Sequence, residues 1–148
     1  MKIGFNMLLW TTNLVEEEFY LLEKIKKVGY DGIEIPLFGG EVDHYKKIGQ
    51  ALNDNGLEST SVTVIPDQNH NPISDSAKDR EGAVDHLKWA IDCSDAIDSK
   101  LLCGPFHQPL GEFSGNPPTS EEKERAAEVH QQASDYAKNL NINLSIEP

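Results

Sequence analysis

The chain has 148 residues, and 25 Asp+Glu against 13 Lys+Arg leave a formal charge of −12. That length fits one ordinary domain, and 38% hydrophobic residues exclude wholesale disorder. The acidic balance sets the chain against nucleic acid and anionic membranes, both of which would repel it.

Residues 3–9 are nearly continuous apolar and predict a first strand buried on both faces. Asn13 stands three residues before Glu16, the spacing of a capping box. Val15, Phe19, Leu22 and Ile25 then recur at helical intervals until Gly29. Residues 32–37 read as the second strand. Val42, Tyr45, Ile48 and Leu52 mark a helix closed by Asn55-Gly56, and residues 57–65 read as the third strand. A polar loop precedes a helix with Ala83, Leu87, Ala90 and Ile91 on its inner face. Residues 100–104 form a short fourth strand, and a loop rich in Gly and Pro follows. Thr119 and Glu122 make a second capping box, opening a helix with Ala126, Val129, Ala133, Tyr136 and Leu140 in one stripe. Residues 141–147 read as a fifth strand.

This alternation is α/β, a (βα)₄β chain. Two architectures fit: an open doubly wound parallel sheet, or a portion of a (βα)₈ barrel, which needs about 250 residues in full. Spacing does not choose between them. The fifth strand has no covering helix, which leads us to expect a chain truncated after that strand. Two cysteines, Cys93 and Cys103, are too few for a disulfide framework and read as small core residues of a reduced protein. Met1 to Phe5 lacks the basic region and cleavage site of a signal peptide, and no apolar run reaches the ~18 residues of a membrane span. We expect a cytoplasmic protein.

In either architecture the functional edge lies where parallel strands end. Asn6 to Trp10, Glu34 to Pro36, Thr63 to Pro66, Gly104 to His107 and Glu147-Pro148 arrive there, mixing carboxylates, an aromatic and a histidine as a polyol or metal site would. Duller roles compete: Trp10 packing against a loop, Glu34 capping the next helix. No H-E-x-x-H helix exists, and His86 and His130 lie within helices as surface or half-buried residues. His107 alone follows a strand end directly. Gly39-Gly40 is a weak phosphate signal better read as a turn. No G-x-G-x-x-G follows the first strand, no Walker motif is present, and no nucleophile–histidine arrangement can be placed.

Tyr30-Asp31-Gly32-Ile33-Glu34-Ile35 resembles the second-strand signature of the xylose-isomerase-like sugar isomerase/epimerase superfamily. Asn71-Pro72-Ile73-Ser74-Asp75 with Arg80-Glu81-Gly82 resembles the opening of the third helix in its ketose 3-epimerases, the D-tagatose and D-psicose group. Gly104-Pro105-Phe106-His107 and Leu144-Ser145-Ile146-Glu147-Pro148 fit the ends of strands four and five. The resemblance implies the N-terminal half of a (βα)₈ barrel that inverts carbon 3 of a ketose, or isomerises a related sugar, through an enediolate. It also implies a divalent metal (Mn, Co or Mg) held by Glu, Asp, His and Glu, with two glutamates exchanging protons on opposite faces of the substrate.

By position in that resemblance, Glu147 is the first metal ligand and one acid/base group. Asn6, Trp10, Glu34, Thr63 and His107 are substrate-binding residues, Asn6 standing where several relatives carry an aromatic. The partners implied are a small sugar and further copies of the chain, as a homodimer or tetramer. Alone, these 148 residues are expected to be inactive. The superfamily's apurinic endonucleases fit poorly with the −12 charge. The competing reading is a non-catalytic α/β module that binds a small polyol or a protein.

Overall fold

The computed structural model describes residues 1–148. Five strands, β1 (Gly4–Asn6), β2 (Gly32–Pro36), β3 (Glu58–Val62), β4 (Leu101–Gly104) and β5 (Asn143–Ile146), alternate with helices α1 (Tyr20–Val28), α2 (Val42–Asp54), α3 (Ala77–Ala96) and α4 (Ser120–Lys138). All neighbouring strands pair in parallel, in the order β1-β2-β3-β4-β5. That order decides between the two architectures. A doubly wound sheet reverses direction at a switch point and carries helices on both faces. Here the order never reverses, and Leu22, Ile48, Leu87 and Val129, one from each helix, share a single core with Ile33, Ile35 and Leu102 of the sheet. The result is an arc of a (βα)₈ barrel, helices on the convex side. No helix is long and apolar enough to cross a membrane.

Most helix ends lie where local chemistry puts them. Thr119 accepts from the Glu122 amide at 3.2 Å while the Glu122 carboxylate accepts from the Thr119 amide at 2.7 Å, closing the second capping box. Gly29 ends α1 at φ 107°, a left-handed conformation that costs glycine little.

Two expectations near the N-terminus are corrected. The first strand is not a seven-residue element buried on both faces: it is three residues long, and Ile3 is 51% exposed. Asn6 stops it, because its side-chain oxygen accepts from the Leu8 amide at 2.8 Å and caps a 3₁₀ turn over Met7–Leu9. Asn13 caps nothing. Thr11 holds it through both its amide and its carbonyl, and the helix entry forms later, where the Glu18 carboxylate accepts from the Val15 amide at 3.2 Å.

Candidate active site on the concave face

Strand alternation sorts the sheet residues onto two faces. Ile33, Ile35 and Leu102 face the helices, with Ser61 as the polar exception, satisfied by Ser94 at 2.8 Å and by the Leu101 carbonyl at 3.0 Å. The concave face carries Asn6, Glu34, Thr60, Cys103 and Ser145, each on a strand, and Glu147 just beyond β5.

Glu34 is the centre of that face. The Asn6 amide donates to its Oε1 at 2.7 Å, while Thr60 Oγ1 and Cys103 Sγ approach its Oε2 at 3.4 and 3.3 Å. The capping role for Glu34 therefore fails: the N-cap of α2 is Glu41, and no side chain caps it. Cys103 stands between Glu34 and Glu147, outside the helix-side core in which Cys93 lies. Burial first, then the two carboxylates, push the Cys103 thiol up to about 12, so it stays protonated and donates. Asn6, Glu34 and Thr60 also line a cavity of about 330 Å³ that runs from them toward the strand starts at Lys2, Asp31, Gly32 and Glu58, away from the C-terminal edge.

Glu147 continues the β5 ladder, its amide bonded to the Gly104 carbonyl at 2.9 Å, and its side chain is exposed. Gly104 itself has no substitute. At φ 145° a Cβ would lie 1.9 Å from the Thr63 carbonyl oxygen. This close approach holds the ends of β3 and β4 together, with the Thr63 amide bonded to the Cys103 carbonyl at 3.0 Å.

The remaining expected residues are placed differently from one another. Trp10 is 55% exposed and packs one side on Phe5, ring centroids 4.5 Å apart and tilted by 43°. Thr63 is fully buried, and its hydroxyl donates to the Leu37 carbonyl at 2.6 Å; it braces strand ends and leaves no free hydroxyl for a ligand. His107 lies apart from the Glu34 network, in a cavity of about 160 Å³ with Leu110, Phe113 and Pro148. Gly39-Gly40 is the turn it was read as: the Tyr45 hydroxyl and the Trp89 indole donate to the two carbonyls at 2.7 and 3.0 Å.

A metal set is not assembled from these residues alone. No group of three or more His, Cys, Asp or Glu side chains is placed to hold an ion. Glu34 spends its oxygens on three donors, and Glu147 is a single carboxylate at a strand end.

The family described as xylose isomerase-like TIM barrel matches residues 22–148. The chain belongs to that family. It is 26% identical to the probable ketose 3-epimerase of Synechocystis sp. over 154 aligned positions, covering 100% of this chain and 51% of that protein. With the ketose 3-epimerase of Arthrobacter globiformis the identity is 25%, over 99% of this chain and 50% of the relative. The fold matches a crystal structure of D-allulose 3-epimerase from Methylomonas sp. with a TM-score of 0.86 at 20% identity, across 99% of this chain and 50% of the other. The chain thus spans about half the length of the relatives it matches.

Sequence reading missed Thr60, Cys103, His86 and His130 as members of the strand-end structure. Thr60 had a usable signal, since alternation puts it on the same face as Val62 and opposite Ser61. Cys103 had none, because a thiol among apolar neighbours reads as core.

Proposed function

We propose that this chain supplies strands one to five of a sugar isomerase/epimerase, acting in the cytoplasm. The complete protein inverts carbon 3 of a ketose, or isomerises a related sugar, by removing and returning a proton next to the carbonyl. The observation that carries this reading is the polar concave face. Two carboxylates, Glu34 in the middle of β2 and Glu147 just past the end of β5, stand on either side of a protonated thiol on that face.

Glu147 is the acid/base group. Its carboxylate is exposed at the end of β5 and its backbone is tied to Gly104, so it is fixed in position and free to exchange a proton. Glu34, held by Asn6, Thr60 and Cys103, presents a fixed negative charge to sugar hydroxyls, and the exposed ring of Trp10 offers its face to sugar C–H groups. Thr63 contributes by bracing, and His107 by closing the rim beside Pro148. A divalent cation belongs to the reading through the family resemblance. Glu147 is the one residue of this chain that would hold it, and the ion when bound would polarise the ketose carbonyl. A homo-oligomer is also part of the proposal, through the family resemblance alone.

The test is deuterium exchange. The protein expressed from the full reading frame that carries this chain is incubated with D-fructose or D-tagatose in D₂O and followed by NMR. Deuterium should enter at carbon 3, and Glu147→Gln should slow its entry by about 10²- to 10⁴-fold, the usual contribution of a positioned acid/base group. No deuterium in the unmodified protein, or undiminished entry in Glu147→Gln, overturns the reading.

A further inference from the structure

Two successive βα units carry the same device. Nε2 of His86, in the middle of α3, lies 2.8 Å from the Val64 carbonyl oxygen. Nε2 of His130, in the middle of α4, lies 3.0 Å from the Phe106 carbonyl oxygen. Each carbonyl belongs to the second residue past its strand, since β3 ends at Val62 and β4 at Gly104. The sequence separations are nearly equal, 22 and 24 residues. A carbonyl only accepts, so Nε2 carries the proton in both rings. Burial lowers both histidines from their ordinary range, which keeps the rings neutral near pH 7. An imidazole is a costly way to fill a helix–loop gap unless its bond is needed.

The bonds continue beyond the histidines. Thr63 Oγ1, 3.4 Å from His86 Nε2, gives its own proton to the Leu37 carbonyl, so α3 is linked through the end of β3 to the end of β2. The Phe106 amide and the Glu147 amide both donate to the Gly104 carbonyl, at 3.0 and 2.9 Å, so α4 is linked through the end of β4 to Glu147. We infer that His86 and His130 are paired positioning residues, each fixing through Nε2–H the backbone just past its strand, His86 on the Thr63–Leu37 side of the site and His130 on the Glu147 side. The role for His130 rests on Glu147 being the acid/base group.

The test compares His130→Phe, which keeps ring volume and removes the donor, with His130→Gln, whose side-chain amide can still donate; His86→Phe and His86→Gln are treated alike. First, long-range ¹H–¹⁵N spectra of the unmodified protein should report the Nε2–H tautomer at both histidines, and an Nδ1–H tautomer at either overturns the inference. Second, hydrogen exchange at the Phe106 and Glu147 amides should speed up by about tenfold in His130→Phe and much less in His130→Gln, with α1 amides unmoved. Equal exchange in the two variants overturns it. Third, kcat should fall by about ten- to a hundredfold in His130→Phe with KM within about twofold, His130→Gln regaining most of the loss. Equal kcat in the Phe and Gln variants overturns the positioning role. If the unmodified protein shows no turnover, the epimerase reading fails, while tautomer and exchange still decide the braces. Should His130→Phe not fold, the tautomer and the exchange pattern of His130→Gln against the unmodified protein decide it: exchange at Glu147 faster by about tenfold or more in the Gln variant counts against the brace, and a smaller rise supports it.

Discussion

The two faces of the sheet differ in what they ask of their residues. On the convex side Ile33, Ile35 and Leu102 are closed in by four helices, and the serine exception there has all its bonds made inside the protein. On the concave side Asn6, Thr60 and Cys103 each bond to Glu34, Glu147 is exposed just past β5, and a cavity opens beside Asn6, Glu34 and Thr60. The same strands build both faces, because successive side chains alternate. A period of two thus lets one short strand such as β2 hold the fold with Ile33 and Ile35 while it presents Glu34 for chemistry.

The largest effect should come from the convex face. Ile35 is fully buried among helix residues, so Ile35→Ala removes its transfer energy and leaves a cavity. We expect a loss of about 2–5 kcal/mol in urea unfolding. A loss below about 1 kcal/mol would mean the convex core is loosely packed and the contrast between the faces is not one of stability.

How much of this was legible beforehand follows from the range of the interactions. The second capping box, the stop at Gly29 and the turn at Asn55-Gly56 each rest on groups within a few residues, and the chain spells them out. Glu34 is legible from its place in the second predicted strand, on the stretch Glu34 to Pro36 that leads to the functional edge, and from the Tyr30 to Ile35 resemblance. Strand order was not legible, because a doubly wound sheet and a barrel arc have the same βα spacing and differ only in where each strand pairs. The first strand misled because Asn6 turns the chain through its own side chain, a local competition hidden by the apolar run around it. Glu34's partners were beyond reach as well: Cys103 lies 69 residues away along the chain. The two helix histidines read from sequence only as surface or half-buried residues, because their task depends on carbonyls 22 and 24 residues earlier.

A smaller effect should appear with pH, and it sharpens the comparison by probing the seam between the faces. His86 and His130 are held below the ordinary 6.5 by burial, each partly offset by the carbonyl it bonds. His86 is faced by His70, which lowers it further, and by Asp67, which raises it; His130 is faced by His107, which lowers it. For a depressed pKa the unfolded chain binds more protons in the window between the folded value and 6.5. The stability from the two neutral rings is therefore present above that window and lost as pH falls through it. Urea midpoints should drop between about pH 7.5 and 5.5 more steeply in the unmodified protein than in a variant carrying both His86→Gln and His130→Gln. Parallel slopes would show that other groups carry the acid sensitivity.

The smallest effect on stability should come from Trp10, and it is the most direct way to break the comparison. Its ring is more than half exposed and rests on Phe5 alone among the aromatics, in a tilted pair. Such a pair is worth about 0.5–1.5 kcal/mol beyond area, and exposure leaves little area to lose, so Trp10→Ala should cost about 1 kcal/mol or less. Its effect on the proposed reaction should be larger than its effect on folding. Losing an apolar wall for the sugar should raise KM, or lower kcat where the wall matters for orientation. Thermal unfolding and steady-state kinetics on the same preparation separate the two. A variant that unfolds readily yet turns over normally while folded would place Trp10 in the supporting core, and the line between a stabilising convex face and a chemical concave rim would have to be redrawn at β1.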